Sequence, residues 1–159
     1  MLLNFENMKF NYAALCFSAV VILFGSCASG RNAAPIKIGI THLAQYSLNR
    51  DRPVTDTTYK VVTTEGEFNN FFSAPAGSAR PSFNGQTAIA IMLKEASTLR
   101  FGKAEFIGPT INVYAESCNP GTAPDCRQGT LFLATIPKAG NAKRVQFFIN
   151  GSSRHTISL

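Results

Sequence analysis

From residue 86 onward nearly every stretch of the chain has the apolar continuity or alternation of β-strand, and few architectures can be built from that. Residues 87–93, Thr-Ala-Ile-Ala-Ile-Met-Leu, are almost unbroken apolar sequence, which predicts a central strand covered on both faces. Shorter strands are predicted at residues 100–107, 110–116, 129–136, 144–149 and 155–159, separated by Gly, Pro or Asn. Asn150-Gly151 falls between the last two, the pair favoured in two-residue hairpin turns.

The first part of the domain adds less. Ile36, Ile38 and Ile40 alternate with Lys37 and Gly39, the period of a half-buried strand. Residues 49–53, Asn-Arg-Asp-Arg-Pro, break the chain, and residues 59–63, Tyr-Lys-Val-Val-Thr, form a second β-rich run. One helix is predicted. Thr64 followed by Glu67 has capping-box spacing, and Phe68, Phe71 and Phe72 then make an apolar stripe at i, i+3 and i+4. Pro75, Gly77 and Pro81 close the helix into a loop. Strands in succession with one early helix predict an α+β fold, predominantly antiparallel β, as a sandwich-like or curved sheet with one short helix packed on it.

Residues 13–24 are an apolar run ending in Gly25-Ser26-Cys27. It is shorter than the roughly 20 residues a spanning helix needs, and suits an N-terminal signal helix. Starting at Met8 would give a compact positive segment carrying Lys9. Leu23-Phe24-Gly25-Ser26-Cys27 resembles a bacterial lipobox, with Phe24 where an aliphatic residue is usual. That resemblance implies cleavage before Cys27 and lipid attachment to its thiol. Ordinary secretory cleavage after Ser26 or Ala28 is the alternative. The expected organisation is a lipoprotein signal peptide at 1–26, a small polar tether at 27–35 and a single β-rich domain at 36–159. The expected address is the cell envelope, as an outer-membrane or surface lipoprotein; a periplasmic or secreted protein is the alternative.

Export makes the four cysteines interpretable. Cys16 leaves with the signal and Cys27 carries the lipid, so Cys118 and Cys126 remain as a pair in an oxidising compartment. Between them lie two Pro, a Gly, Asn119 and Asp125, turn-forming residues throughout. A disulfide closing this loop is expected to be worth roughly 2.5 kcal/mol. Two thiols without a nearby His or second pair cannot fill a tetrahedral metal shell, and the spacing is not Cys-x-x-Cys. The pair is therefore read as a structural staple, and Asn119, Pro120, Pro124, Asp125 and Arg127 are the candidate binding loop should the stapled segment be functional as well as structural.

No catalytic constellation, metal site or cofactor motif is expected. His42 and His155 are the only imidazoles and lie far apart in sequence; one is read as a strand residue and the other as an exposed near-terminal residue. Glu65 and Glu67 belong to the first helical turn, where the macrodipole favours them. The chain carries 15 Lys+Arg against 9 Asp+Glu, a formal charge of +6. Lys138, Lys143, Arg144 and Arg154 form the densest basic cluster, with Arg127 expected to approach it. Nucleic acid is an improbable partner for an exported chain, so attraction to anionic lipid or surface polysaccharide, or plain solvation, is the expected use of this charge.

The run of residues 59–68 (strand into capped helix), Phe71-Phe72, the apolar strand 88–93, the hairpin between Phe106 and Tyr114 and the strand ending Ile136-Pro137-Lys138 together resemble the C-terminal domain of the PrcB family. Members include a small lipoprotein subunit of a surface protease complex in oral spirochaetes and stand-alone bacterial domains. The likeness spans about residues 36–150. Where the family usually has Gly-Gly-Tyr, this chain has Ser97-Thr98-Leu99-Arg100-Phe101-Gly102. The family supplies no catalytic residue. The resemblance implies a non-catalytic binding or accessory subunit, membrane-anchored through its N-terminal lipid and assembled with an exported protease or other envelope protein. The alternatives are a protease inhibitor presenting the loop 118–126 and a small-ligand or polysaccharide-binding surface module.

Overall fold

The computed structural model describes residues 34–49, 51 and 53–159; the expected signal peptide, Cys27 and the expected tether as far as residue 33 lie outside them. In chain order the elements are β1 (Ile36–Ile38), β2 (Thr41–His42), β3 (Ser47–Leu48), β4 (Thr58–Val62), α1 (Glu65–Phe71), β5 (Phe72–Ser73), β6 (Gln86–Ile107), β7 (Thr110–Ser117), β8 (Arg127–Pro137), β9 (Arg144–Ile149) and β10 (Ser152–Ser158). The expected α+β class, antiparallel-dominated β with one short helix, is what the described residues form.

β6 organises the rest. Two strands are predicted across residues 86–107, but a single strand of 22 residues runs through the charged stretch at Lys94 and Glu95. Its first half lies between β4 and β8, with Ala90 opposite both Lys60 and Leu133. Its second half pairs with β7, from Leu99 opposite Ser117 to Ile107 opposite Thr110, and with β1 at Ala104, Glu105 and Phe106. Two irregularities bend it. Between Met92 and Ser97 the register against β8 shifts, and a second shift between Phe101 and Lys103 centres on Gly102. Bulges of this kind increase local twist and re-aim side chains. Leu99 and Phe101 are buried before Gly102 and Ala104 after it, so the inward face changes parity there.

The eight-stranded sheet has the path β10-β9-β7-β6-β8-β2, and every pairing is antiparallel except β7 with β9. That parallel pair needs a crossover connection, which residues 118–143, including β8, provide. The sheet curls around one core of Ile89, Ile91, Phe101, Ile111, Val113, Phe132, Ile136, Val145 and Phe147. Its far edges approach each other. Tyr59 of β4 lies 5.3 Å from the ring of Phe147 and stacks on His155 of β10 at 5.4 Å.

A second core sits on the opposite face of β4, β6 and β8, beneath α1 and the small β3–β5 ladder. Ala88, Ala90 and Met92 point into it, while Ile89 and Ile91 point into the first. This is the physical meaning of the unbroken apolar run at 87–93. Phe68 and Phe72 are buried here, with Tyr46 and Phe83 against Phe68 at 5.1 and 5.4 Å. Thr64 caps α1, its Oγ1 accepting from the Glu67 N–H at 3.3 Å. The return half of the capping box is replaced: Glu67 pairs with Lys60 of β4 at 3.0 Å, and the same ammonium sits 4.1 Å over the half-buried ring of Phe71. The helix is thereby tied to the sheet it covers.

Candidate functional site

The loop joining β7 to β8 is the most constrained irregular segment of the domain. Cys118 and Cys126 are disulfide-bonded with Cα atoms 5.8 Å apart. Inside the bond the sequence dictates two consecutive turns. Pro120 and Gly121 occupy the corners of the first, with Gly121 at φ 86°, and the Thr122 N–H donates to the Asn119 carbonyl at 3.1 Å. Pro at the first corner and a positive φ at the second is the type II pattern. Pro124 and Asp125 occupy the corners of the second, closed by Cys126 N–H to the Ala123 carbonyl at 3.1 Å.

The rim at Cys118 is tied down. The Cys118 N–H donates to the Thr98 carbonyl of β6, and the Asn150 side chain accepts from the Ser117 N–H at 2.8 Å and donates to Ser117 Oγ at 3.1 Å. Asn150 and Gly151, at φ 50° and 77°, make the expected hairpin turn between β9 and β10. Stapled loop and hairpin thus share one end of the domain. Asn119, Pro120, Gly121, Thr122 and Pro124 are exposed there.

Asp125 turns back toward the sheet. Its Oδ2 lies 3.7 Å from Nε2 of His42 on β2, a contact between residues whose spacing in the sequence carries no signal. Together with Arg100, Phe101, Arg127 and Phe132 they line a cleft of about 180 Å³. Arg100 donates to Glu116 Oε1 through both Nε, at 2.8 Å, and Nη2. Arg127 opens β8, exposed and without a carboxylate partner among the described residues. Burial chiefly, and the Arg127 charge secondarily, hold the His42 imidazole below its ordinary pKa, while Asp125 pulls the other way. The ring also faces Phe101, with centroids 6.2 Å apart. No hydroxyl or thiol hydrogen-bonds to His42 among the described residues. The cleft therefore offers an apolar floor with a polar rim, chemistry suited to holding one side chain of a partner.

Two expected groupings are not formed. Arg127 and Lys138 stand at opposite ends of the 11-residue β8, so Arg127 does not join the basic cluster. Arg154 is also separated, lying toward the hairpin end of β10 while Lys143 and Arg144 adjoin its other end. His155 is exposed and covers Tyr59. Glu65 faces Arg80 at 3.7 Å. Among the described residues no three His, Cys, Asp or Glu are placed to hold a metal ion, and no helix is long and apolar enough to cross a membrane. No protein-family profile, no curated protein and no solved structure matches this chain.

Proposed function

We propose that this chain is an exported, lipid-anchored envelope protein of the PrcB-like kind, acting as a non-catalytic binding subunit of an exported protease. The observation that carries the reading is the loop 118–126, exposed yet ordered by a disulfide, two proline turns and hydrogen bonds that tie its Cys118 rim to β6 and the Asn150 turn. A loop ordered before contact loses little conformational entropy on binding, so its contacts are expressed as affinity. Asn119, Pro120 and Pro124 form its outer surface, and the cleft beside Asp125 and Arg127 accepts an anchoring side chain. The lipobox-like Cys27 supplies the anchor.

The test is purification from membranes in mild detergent, with co-purifying proteins identified by mass spectrometry. An exported protease should be retained, and a Cys118→Ser/Cys126→Ser variant should lose at least about tenfold of it. Recovery of no specific partner rejects assembly. The pre-ordered loop also favours a second reading, a protease inhibitor inserting residues 119–125 into a cleft. The two differ in sign: an inhibitor lowers the activity of the recovered protease, whereas an accessory subunit sustains it.

A further inference from the structure

The end of the domain opposite the stapled loop has a composition of its own. β6 ends there at Ile107, and β7 and β9 begin there at Thr110 and Arg144. The Lys143 N–H donates to the Pro109 carbonyl at 2.8 Å, and the Leu159 N–H donates to the Lys143 carbonyl at 2.9 Å. A turn closed by Ala142 N–H to the Ala139 carbonyl places Lys138 and Lys143 at its two feet. Ile36 joins the same end through its pairing with Phe106. Residues 36–40, 106–112 and 136–146 contain Lys37, Lys138, Lys143 and Arg144 and no Asp or Glu, while Glu65 and Glu67 at the nearby start of α1 are paired with Arg80 and Lys60. Glu105, opposite Lys37, is already held by Lys103 at 3.0 Å.

A second observation is independent of charge. Ile36 and Leu159 are the exposed large hydrophobic residues among the described ones, at 63% and 51%, and both are at this end. Apolar side chains ringed by lysines match the interfacial zone of a membrane, where anionic headgroups meet the first methylenes. The chain also enters the domain here. Cys27 is nine residues before Ile36, a reach of at most about 30 Å.

We propose that this end of the domain rests on an anionic lipid bilayer, with Lys37, Lys138, Lys143 and Arg144 over the headgroups and Ile36 and Leu159 among them. The orientation rests on the proposed anchor at Cys27; the lipid preference does not. Docked this way, the stapled loop and its cleft face away from the membrane.

The test uses the full chain carrying Cys27→Ser, which has no acylation site, in sedimentation with phosphatidylcholine vesicles with or without about one part in three of phosphatidylglycerol. The apolar residues 13–24 act on both vesicles alike, so the ratio of affinities is the readout. A preference for the anionic vesicles that falls as salt rises is expected. Lys138→Glu/Lys143→Glu should reduce that preference at least about 25-fold, at about fivefold per lysine. Lys94→Glu/Arg154→Glu, with the same charge change away from this end, should keep it, and thermal melts should show both variants folded. Equal affinity for the two vesicles, equal losses in the two variants, or tighter binding to a sulfated polysaccharide than to anionic vesicles overturns the proposal. Intact mass of the unsubstituted protein tests the anchor separately: absence of acyl mass at Cys27 refutes the anchor while the vesicle ratio still decides the docking.

Discussion

Replacing Cys118 and Cys126 by serine should lower the stability of the domain by about 2.6 kcal/mol. The bond closes a loop of nine residues, from a sequence separation of 8. In the chain-entropy treatment that closure removes about 8.7 cal/mol/K from the unfolded chain, or about 2.6 kcal/mol at 25 °C. Both cysteines are half-buried, so serine adds little packing loss. A unit of 126 residues, from Ala34 to Leu159, unfolds with an entropy near 0.26 kcal/mol/K, so the melting midpoint should fall by about 10 °C. Circular dichroism melts of the Cys118→Ser/Cys126→Ser variant, and of the unsubstituted protein with and without reductant, measure it. The variant and the reduced protein should coincide. A drop smaller than about 4 °C, roughly 1 kcal/mol, would refute the reasoning. It would mean that the two proline turns hold the loop closed in the unfolded chain without the bond.

Two further outcomes follow from the packing and the cleft. Phe68→Ala empties the centre of the second core, where Tyr46, Phe72 and Phe83 all touch the ring, and should cost about 3–5 kcal/mol in urea unfolding; a loss under about 1.5 kcal/mol would show that the helix packs without that anchor. Because His42 is held below its ordinary value by burial and Arg127, the unfolded chain takes up the proton first, so stability present above about pH 6.5 is lost as pH falls through that value toward the lowered folded one. Urea midpoints between about pH 5 and 7.5 should therefore fall more in the unsubstituted protein than in His42→Asn, and parallel curves would exclude the histidine as the cause.

The strands that could be read from sequence are those whose evidence is local. Residues 110–116 alternate cleanly, Asn150-Gly151 punctuates the β-rich run 144–149, and Thr64 caps the helix from three residues away. The continuity of β6 was not legible, because Lys94 and Glu95 interrupt the apolar pattern where the strand bends in solvent. The ladders of β2, β3 and β5 are two residues each, too short for any period to show. The stapled loop could be read from Cys118, Pro120, Gly121, Pro124 and Cys126 alone. Its cleft could not: His42 and Arg100 come from other strands, and only the curl of the sheet brings them to Asp125 and Arg127. Charge clustering in sequence misplaced Arg127 and Arg154 for the same reason, since neighbours along the chain can stand at opposite ends of a strand.

The dependence of the sheet on β6 also sets an order of assembly. β1 and β4 both take their partner from β6, and β2 takes its partner from β8. Before Gln86 has been synthesised, the only ladder available among the described residues is the two-residue pairing of β3 with β5. More than half the chain therefore leaves the ribosome with its early strands unsatisfied, and the long-range closures come late and slowly. The domain cannot close until β8 and β9 have emerged, and a truncation that ends before them leaves β2 and part of β6 without their native partners.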